Sequence, residues 1–157
     1  MDGGKAASLS GLGSEIGDAG ILDLCAGTGA RGIEALSRGA SSALFVENNR
    51  AAVAAIERNL SKTKMSGRIR KRDVFSFLRQ PRPEGSGFDI IFADPPYENT
   101  ADGKAFTALL LSRPELAEML LPSGTFVLEK RPSEPMPKTK LWQVVRAKAY
   151  GATEVLF

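Results

Sequence analysis

Asp94, Pro95, Pro96 and Tyr97 close an apolar run, Ile90, Ile91, Phe92 and Ala93, of the kind carried by a parallel strand buried on both faces. Neither proline has an N–H to give to a sheet, and each pushes the preceding residue away from helix, so Asp94 and Tyr97 sit on a stiff, extended turn. In an open α/β sheet ligands bind at the carboxyl ends of strands, which makes a carboxylate and an aromatic ring at this point a candidate site. An ordinary strand exit closed by prolines would read the same way. A second candidate lies upstream. Gly27, Gly29 and Gly32 have the G-x-G-x-x-G spacing, and Glu47 follows 20 residues beyond Gly27, where an acidic residue can hold ribose hydroxyls. Such a turn lets backbone approach a ligand closely and leaves helix N–H groups free to meet it.

The glycine pattern is also the dinucleotide fingerprint, so a nicotinamide-binding protein competes. Two features argue against it: Asp23, inside the strand before the turn, can reach both the turn and a ligand ammonium, and the prolyl turn has no role in dinucleotide binding. Asp73 reads equally well as an adenine contact and as the N-cap of a helix over 74–79. Cys25 is most simply a small buried hydrophobe.

The elements that must position these residues alternate. Residues 1–20, rich in Gly, Ser and Ala, read as a flexible leader, and 21–157 as one domain. Strands are expected at 21–25, 43–46, 67–72, 88–93 and 125–129. The helix after the glycine turn presents Ile33 and Leu36 inward and stops at Gly39. Asn48 or Asn49 caps the next, with Val53, Ile56 and Leu60 on one face. Residues 81–87 form a loop, and the polar stretch 98–103 suits a lip over a pocket. Ser112-Arg113-Pro114-Glu115 resembles a capping box opening a helix toward Leu121, and Pro122-Ser123-Gly124 a turn. The proline-rich 130–140 segment cannot be helical, and 141–150 with 153–157 reads as a terminal hairpin. The expected fold is α/β with a mostly parallel sheet.

At 157 residues, 43% apolar and 25% charged, the chain has the composition of one globular domain. It carries no apolar run of membrane-span length and no signal-peptide core, so no membrane partner is expected and the place of action reads as cytoplasmic. One cysteine excludes an internal disulfide and a Cys-based zinc site, and the absence of histidine removes His-based triads and the commonest metal ligand. No metal is expected. The chemistry must come from carboxylates, backbone groups or a cofactor. A net charge of +3 and a pI near 9.2 permit a nucleic-acid partner.

Taken together, the chain resembles class I S-adenosylmethionine-dependent methyltransferases, and more narrowly the RsmD-like family, the 16S ribosomal RNA guanine-N2 methyltransferases. The residues that carry this are Leu22-Asp23-Leu24-Cys25-Ala26-Gly27-Thr28-Gly29-Ala30, then Gly32-Ile33-Glu34-Ala35-Leu36-Ser37-Arg38-Gly39-Ala40, Phe45-Val46-Glu47, Asp73-Val74 with Phe77-Leu78, Asp94-Pro95-Pro96-Tyr97 and Tyr150-Gly151-Ala152-Thr153. The resemblance implies a Rossmann-like fold with a mostly parallel seven-stranded sheet and a C-terminal antiparallel hairpin. It implies S-adenosyl-L-methionine as cofactor, with Asp23, Ala26, Gly27, Thr28, Gly29, Glu47, Asn48, Asp73, Val74 and Asp94 around it. Gly27 and Gly29 would line the methionine end, Glu47 the ribose, and Asp73 with Val74 the adenine. Asp94, Pro95, Pro96 and Tyr97 would form the catalytic turn.

The chemistry agrees with that assignment. The lone pair of an exocyclic amine is delocalised into its ring, so the nitrogen must move toward tetrahedral geometry as the methyl arrives. The Asp94 carboxylate and the Pro95 carbonyl can accept its two N–H bonds and stabilise the developing charge, and Tyr97 can stack on a base that is flipped or unpaired. Arg68, Arg70, Lys71 and Arg72, with Lys130 and Arg131, are candidate phosphate contacts, although a charge run is equally a solvated strand end. Members of the family carry a basic hairpin and a helix ahead of the first strand, with an Arg-Pro-Thr start and a later Arg-x-Arg-Glu pattern. Residues 1–20 contain none of these, which reads as a truncated product, a fragment of a split protein, or an enzyme that borrows the missing part from a partner; the resemblance implies ribosomal RNA or a small-subunit precursor as substrate partner, with the chain itself monomeric. Two rival readings remain beside this one: a DNA adenine-N6 or cytosine-N4 methyltransferase, and a non-catalytic RNA- or ribosome-binding module that retains the fold.

Overall fold

The central strands in this chain are short apolar runs, and alternate residues of each run separate into two layers. The computed structural model describes residues 16–81, 86–94, 106–130, 141–144, 147–150 and 153–156, with backbone alone at 130, 147–150 and 153–156. β1 (Gly20–Leu24), β2 (Ser42–Glu47), β3 (Arg68–Lys71), β4 (Phe88–Ala93) and β5 (Leu120–Lys130) run parallel in the order β3-β2-β1-β4-β5. β7 (Thr153–Leu156) pairs antiparallel with β5, and β6 (Ala147–Tyr150) antiparallel with β7 at the edge. The crossovers carry α1 (Ala30–Ser37), α2 (Arg50–Thr63), α3 (Val74–Leu78), α4 (Phe106–Leu111) and α5 (Pro114–Glu118).

Ile21, Phe45, Ile90 and Phe92 pack on one face with Ile56 and Leu60 of α2, while Leu22, Leu24, Leu44, Val46 and Ile91 pack on the other with Phe77, Leu78, Leu110 and Leu116. Each such side chain, fully buried, contributes about 1.5–3 kcal/mol relative to exposure, so β1, β2 and β4 anchor the sheet. β3 buries far less. Only Ile69 is half-buried there, between exposed Arg68 and Arg70.

Helix boundaries follow their caps. Asn49 accepts from the Ala52 N–H at 3.0 Å and starts α2. Gly39, with φ of +105°, ends the turn after α1. A Cβ on Gly32 would run into the Phe45 ring, so this glycine lets α1 lie directly on β2.

Three expectations change. Ile16 and Ala19 are buried in the core and Gly20 opens β1, so packing begins before the expected end of the leader at residue 20; residues 1–15 lie outside the described residues. The capping box does not form: Arg113 is the N-cap of α5 without a side-chain hydrogen bond, and Ser112 Oγ donates back to the Leu109 carbonyl at 2.7 Å. Pro114 fills the first turn instead. The turn expected at Pro122-Ser123-Gly124 is a bulge within β5: Phe88 pairs with Leu120 but Ile90 with Thr125, and Ser123 takes a φ of +71°. The lip at 98–103 and the 131–140 segment lie outside the described residues.

Candidate active site

Strand register brings the chemical groups to one edge. β1 has β2 on one side and β4 on the other, Leu24 lying opposite both Val46 and Ala93, while Ala93 lies opposite Leu128. The next residue at each strand end is therefore Cys25, Glu47, Asp94 or Glu129. The chain order reverses between β1 and β4, which leaves a crevice at the carboxyl ends. A cleft of about 330 Å³ lies there, lined by Cys25, Glu47, Asn48, Asp73, Val74 and Asp94, with Val46 and Phe106 completing the wall. That volume is at the low end of small-molecule sites.

The glycine turn beside the cleft contains three left-handed residues, Cys25 at φ +55°, Gly27 at +59° and Gly29 at +81°. A Cβ built on Gly27 would meet nothing within 4 Å, so that face of the turn is open to a ligand. A Cβ on Gly29 would press on Ile56 and Phe45 at 3.2–3.3 Å. One glycine serves approach and the other packing. Glu47 ties the turn to β2: Oε1 accepts from the Gly27 N–H at 2.7 Å, and Oε2 from the Asn48 and Asn49 N–H groups at 3.1 and 3.0 Å. Three of about four acceptor sites on the carboxylate are thus filled by backbone. Ala26 is buried, and the exposed Thr28 offers its carbonyl to Asn59 Nδ2 at 3.0 Å; these two and Gly29 shape the turn without lining the cleft.

Asp23 is 1% exposed and lies behind the turn, its Oδ2 accepting from the Gly32 N–H at 3.1 Å. It reaches the turn as expected but does not line the cleft. Burial pushes its carboxyl up to about 7, against the opposing pull of Arg31 and the Gly32 N–H, and Asp94 and Glu47 add to the rise. Burial also raises the Cys25 thiol, with Glu47, Asp23 and Asp94 pushing the same way, so this cysteine is no thiolate near neutral pH. Asp73 is the N-cap that one of its two readings expects, accepting from the Ser76 N–H at 3.1 Å at the start of α3, and it lines the cleft beside Val74.

Three residues at the site were not singled out from sequence. Arg31, in the first turn of α1, donates from Nη2 to Asp94 Oδ2 at 3.0 Å and pairs with the buried Glu129. Phe106 closes the cleft wall and meets Phe75 at 5.1 Å between ring centroids, with the Arg113 guanidinium 5.4 Å over Phe75. Sequence offered little warning of these: Arg31 stands inside the glycine motif as an unexplained charge, and Glu129 as a charge ending an apolar strand. Pro95, Pro96, Tyr97 and Arg131 lie outside the described residues, as does the side chain of Lys130.

Arg68, Arg70, Lys71 and Arg72 are exposed along the β3 edge. Lys71 lies opposite Glu47, and the Arg72 N–H donates to the Glu47 carbonyl at 3.1 Å, so the basic run ends at the cleft rim. Charges on an edge strand also discourage pairing with another sheet. Among the described residues no group of three or more His, Cys, Asp or Glu side chains has metal-binding geometry, and no helix is long and apolar enough to cross a membrane.

Comparison with known proteins bears on the same cleft. The family model described as "Conserved hypothetical protein 95" matches residues 1–157. YlbH of Bacillus subtilis, provisionally named an rRNA methyltransferase, is 34% identical over 137 residues, 85% of this chain and 72% of that protein. "Ribosomal RNA small subunit methyltransferase D" of Haemophilus influenzae is 28% identical over 133 residues, 83% of this chain and 66% of that protein. The solved structure of YhhF from Escherichia coli, provisionally titled a methyltransferase, superposes with a TM-score of 0.72 at 28% identity, covering 97% of this chain and 81% of that one. The chain thus spans about two thirds of the Haemophilus relative's length.

Proposed function

This chain belongs to the family described as "Conserved hypothetical protein 95", and on that premise we propose that it is an S-adenosylmethionine-dependent methyltransferase acting on the exocyclic N2 amine of a guanine in small-subunit (16S) ribosomal RNA. The observation that carries the reading is the meeting of Glu47, Asp73 and Asp94 around one cleft, beside the open face of Gly27. The residues fit the cofactor. Val74 and Phe106 offer an apolar wall for a flat base, and the acceptors at Glu47 and Asp73 suit hydroxyls and an amine.

In this reading the remaining acceptor site of Glu47 takes a ribose hydroxyl, Asp73 and Val74 hold the adenine, and the turn at Gly27 and Gly29 receives the methionine end. When bound, S-adenosylmethionine supplies an already activated methyl on a sulfonium. Asp94, with the Pro95 carbonyl, accepts the N–H bonds of the target amine and stabilises positive charge as the nitrogen pyramidalises. The proline pair keeps those acceptors aimed, and Tyr97 stacks on the base. Arg68, Arg70, Lys71 and Arg72, with Lys130 and Arg131, contact phosphates. The names of the relatives favour ribosomal RNA over DNA and over a non-catalytic module. The protein would act as a monomer in the cytoplasm, with a catalytic domain whose packing begins at Ile16.

The test is transfer of labelled methyl to unmodified small-subunit particles, their naked RNA and duplex DNA, with titrations of S-adenosylhomocysteine and NADH alongside. Label in ribosomal RNA with S-adenosylhomocysteine binding supports the reading. Label in DNA alone, or NADH binding without S-adenosylhomocysteine binding, replaces it with a rival.

A further inference from the structure

We infer that Arg31, anchored by Glu129, is the positioning residue that fixes the Asp94 carboxylate at the cleft. The inference rests on the reading of Asp94 as acceptor for the target amine. Arg31 is the second residue of α1, whose N-cap Gly29 is left-handed, and its guanidinium meets Asp94 just past β4 and Glu129 near the end of β5. The parallel register of Ala93 with Leu128 brings Asp94 and Glu129 side by side at those ends. Two carboxylates so close repel unless a cation lies between them, and Arg31 meets both.

The two partners differ in burial, and that asymmetry sets the direction of the device. The Glu129 side chain is 2% exposed, whereas that of Asp94 is 35% exposed and lines the cleft. A guanidinium is planar with donors at fixed angles, so holding it at the buried Glu129 restricts where the Asp94 carboxylate can sit. Arg31 is itself buried, and its Nε has no acceptor among the described residues. A buried cation left partly unsatisfied is a poor way to gain stability, because an apolar pair of the same volume usually serves as well. Its use lies in orientation. An acceptor displaced by about 1 Å from a reacting group can slow a reaction by on the order of 100-fold.

The test replaces both charges together, Arg31→Met with Glu129→Met, so that neither is left buried and unpaired. In a crystal structure of the unliganded double variant the Asp94 carboxylate is expected to leave its wild-type position; an unmoved carboxylate overturns the inference whatever the activity. In transfer to unmodified small-subunit particles, kcat is expected to fall about 10- to 100-fold, with S-adenosylhomocysteine affinity within about twofold of wild type. Arg31→Lys is expected to fall between the two. A double variant with wild-type kcat, or one whose loss is entirely in cofactor affinity, would also overturn it. If the double variant does not fold, Arg31→Lys decides on the same two readouts. Should the wild-type protein transfer no methyl at all, the functional reading fails, and the crystal structure alone still decides whether Arg31 positions Asp94.

Discussion

Replacing Asp23 with asparagine should change how stability depends on pH, and by a predictable amount. The folded-state carboxyl is raised from 3.8 to about 7, chiefly by burial, whereas in the unfolded chain it titrates near its ordinary value. Between those two values the folded protein holds a proton that the unfolded chain has lost. Stability from this group is therefore complete below pH 4 and lost as pH rises toward 7. One pKa unit corresponds to about 1.4 kcal/mol, so ionising Asp23 in place costs about 4 kcal/mol in full, of which about 3 kcal/mol accrues between pH 5 and 8. In Asp23→Asn the side chain keeps an oxygen for the Gly32 N–H and does not titrate. Urea unfolding of both proteins from pH 5 to 8, with the m-value checked for constancy, isolates the effect because other titrations cancel in the difference. Wild type should lose about 3 kcal/mol relative to the variant across that range. A difference that stays flat would refute the argument that Asp23 is folded with a raised pKa.

Gly32→Ala should destabilise the protein by about 1–3 kcal/mol, read as a lower urea midpoint, because its Cβ meets the Phe45 ring; Gly27→Ala, which meets nothing and bears only left-handed strain, should cost about 1–2 kcal/mol. Glu47→Ala should weaken S-adenosylhomocysteine binding about 10- to 100-fold by calorimetry, the equivalent of one charged hydrogen bond of about 1.5–3 kcal/mol to the ribose. Arg70→Ala and Arg72→Ala should each lower the salt dependence of RNA binding by about one unit of slope while leaving cofactor affinity unchanged; unchanged slopes would mean that the β3 charges only guard the sheet edge.

What could be read from the chain was whatever depends on local pattern. Asn49 before a run with Ile56 and Leu60 on one side gives α2 because cap and periodicity lie within about three turns of each other. Glu47 and Gly27 meet because a strand–turn–helix–strand unit has nearly fixed length, and the structure joins them at 2.7 Å. The Arg31 contacts were not legible, since they need the register of β4 on β5, set by residues some 35 positions apart, and the aim of α1 as well. The bulge at Ser123 was hidden for a related reason. Pro-Ser-Gly signals a turn, and only the pairing of Leu120 with Phe88 on one side and Thr125 with Ile90 on the other keeps both flanks in one strand. Ile16 was lost in a stretch rich in glycine, serine and alanine, a composition that reads as a flexible leader whatever its few apolar residues do.

The most direct test of the central claim is nucleoside analysis of small-subunit RNA after incubation with S-adenosylmethionine and either the wild-type protein or Asp94→Ala. The account predicts N2-methylguanosine with the wild type and at least 100-fold less with the variant, on the order of the loss when one preorganised acceptor is removed. Methyl appearing on another atom or base, or N2-methylguanosine formed equally by both proteins, would contradict it.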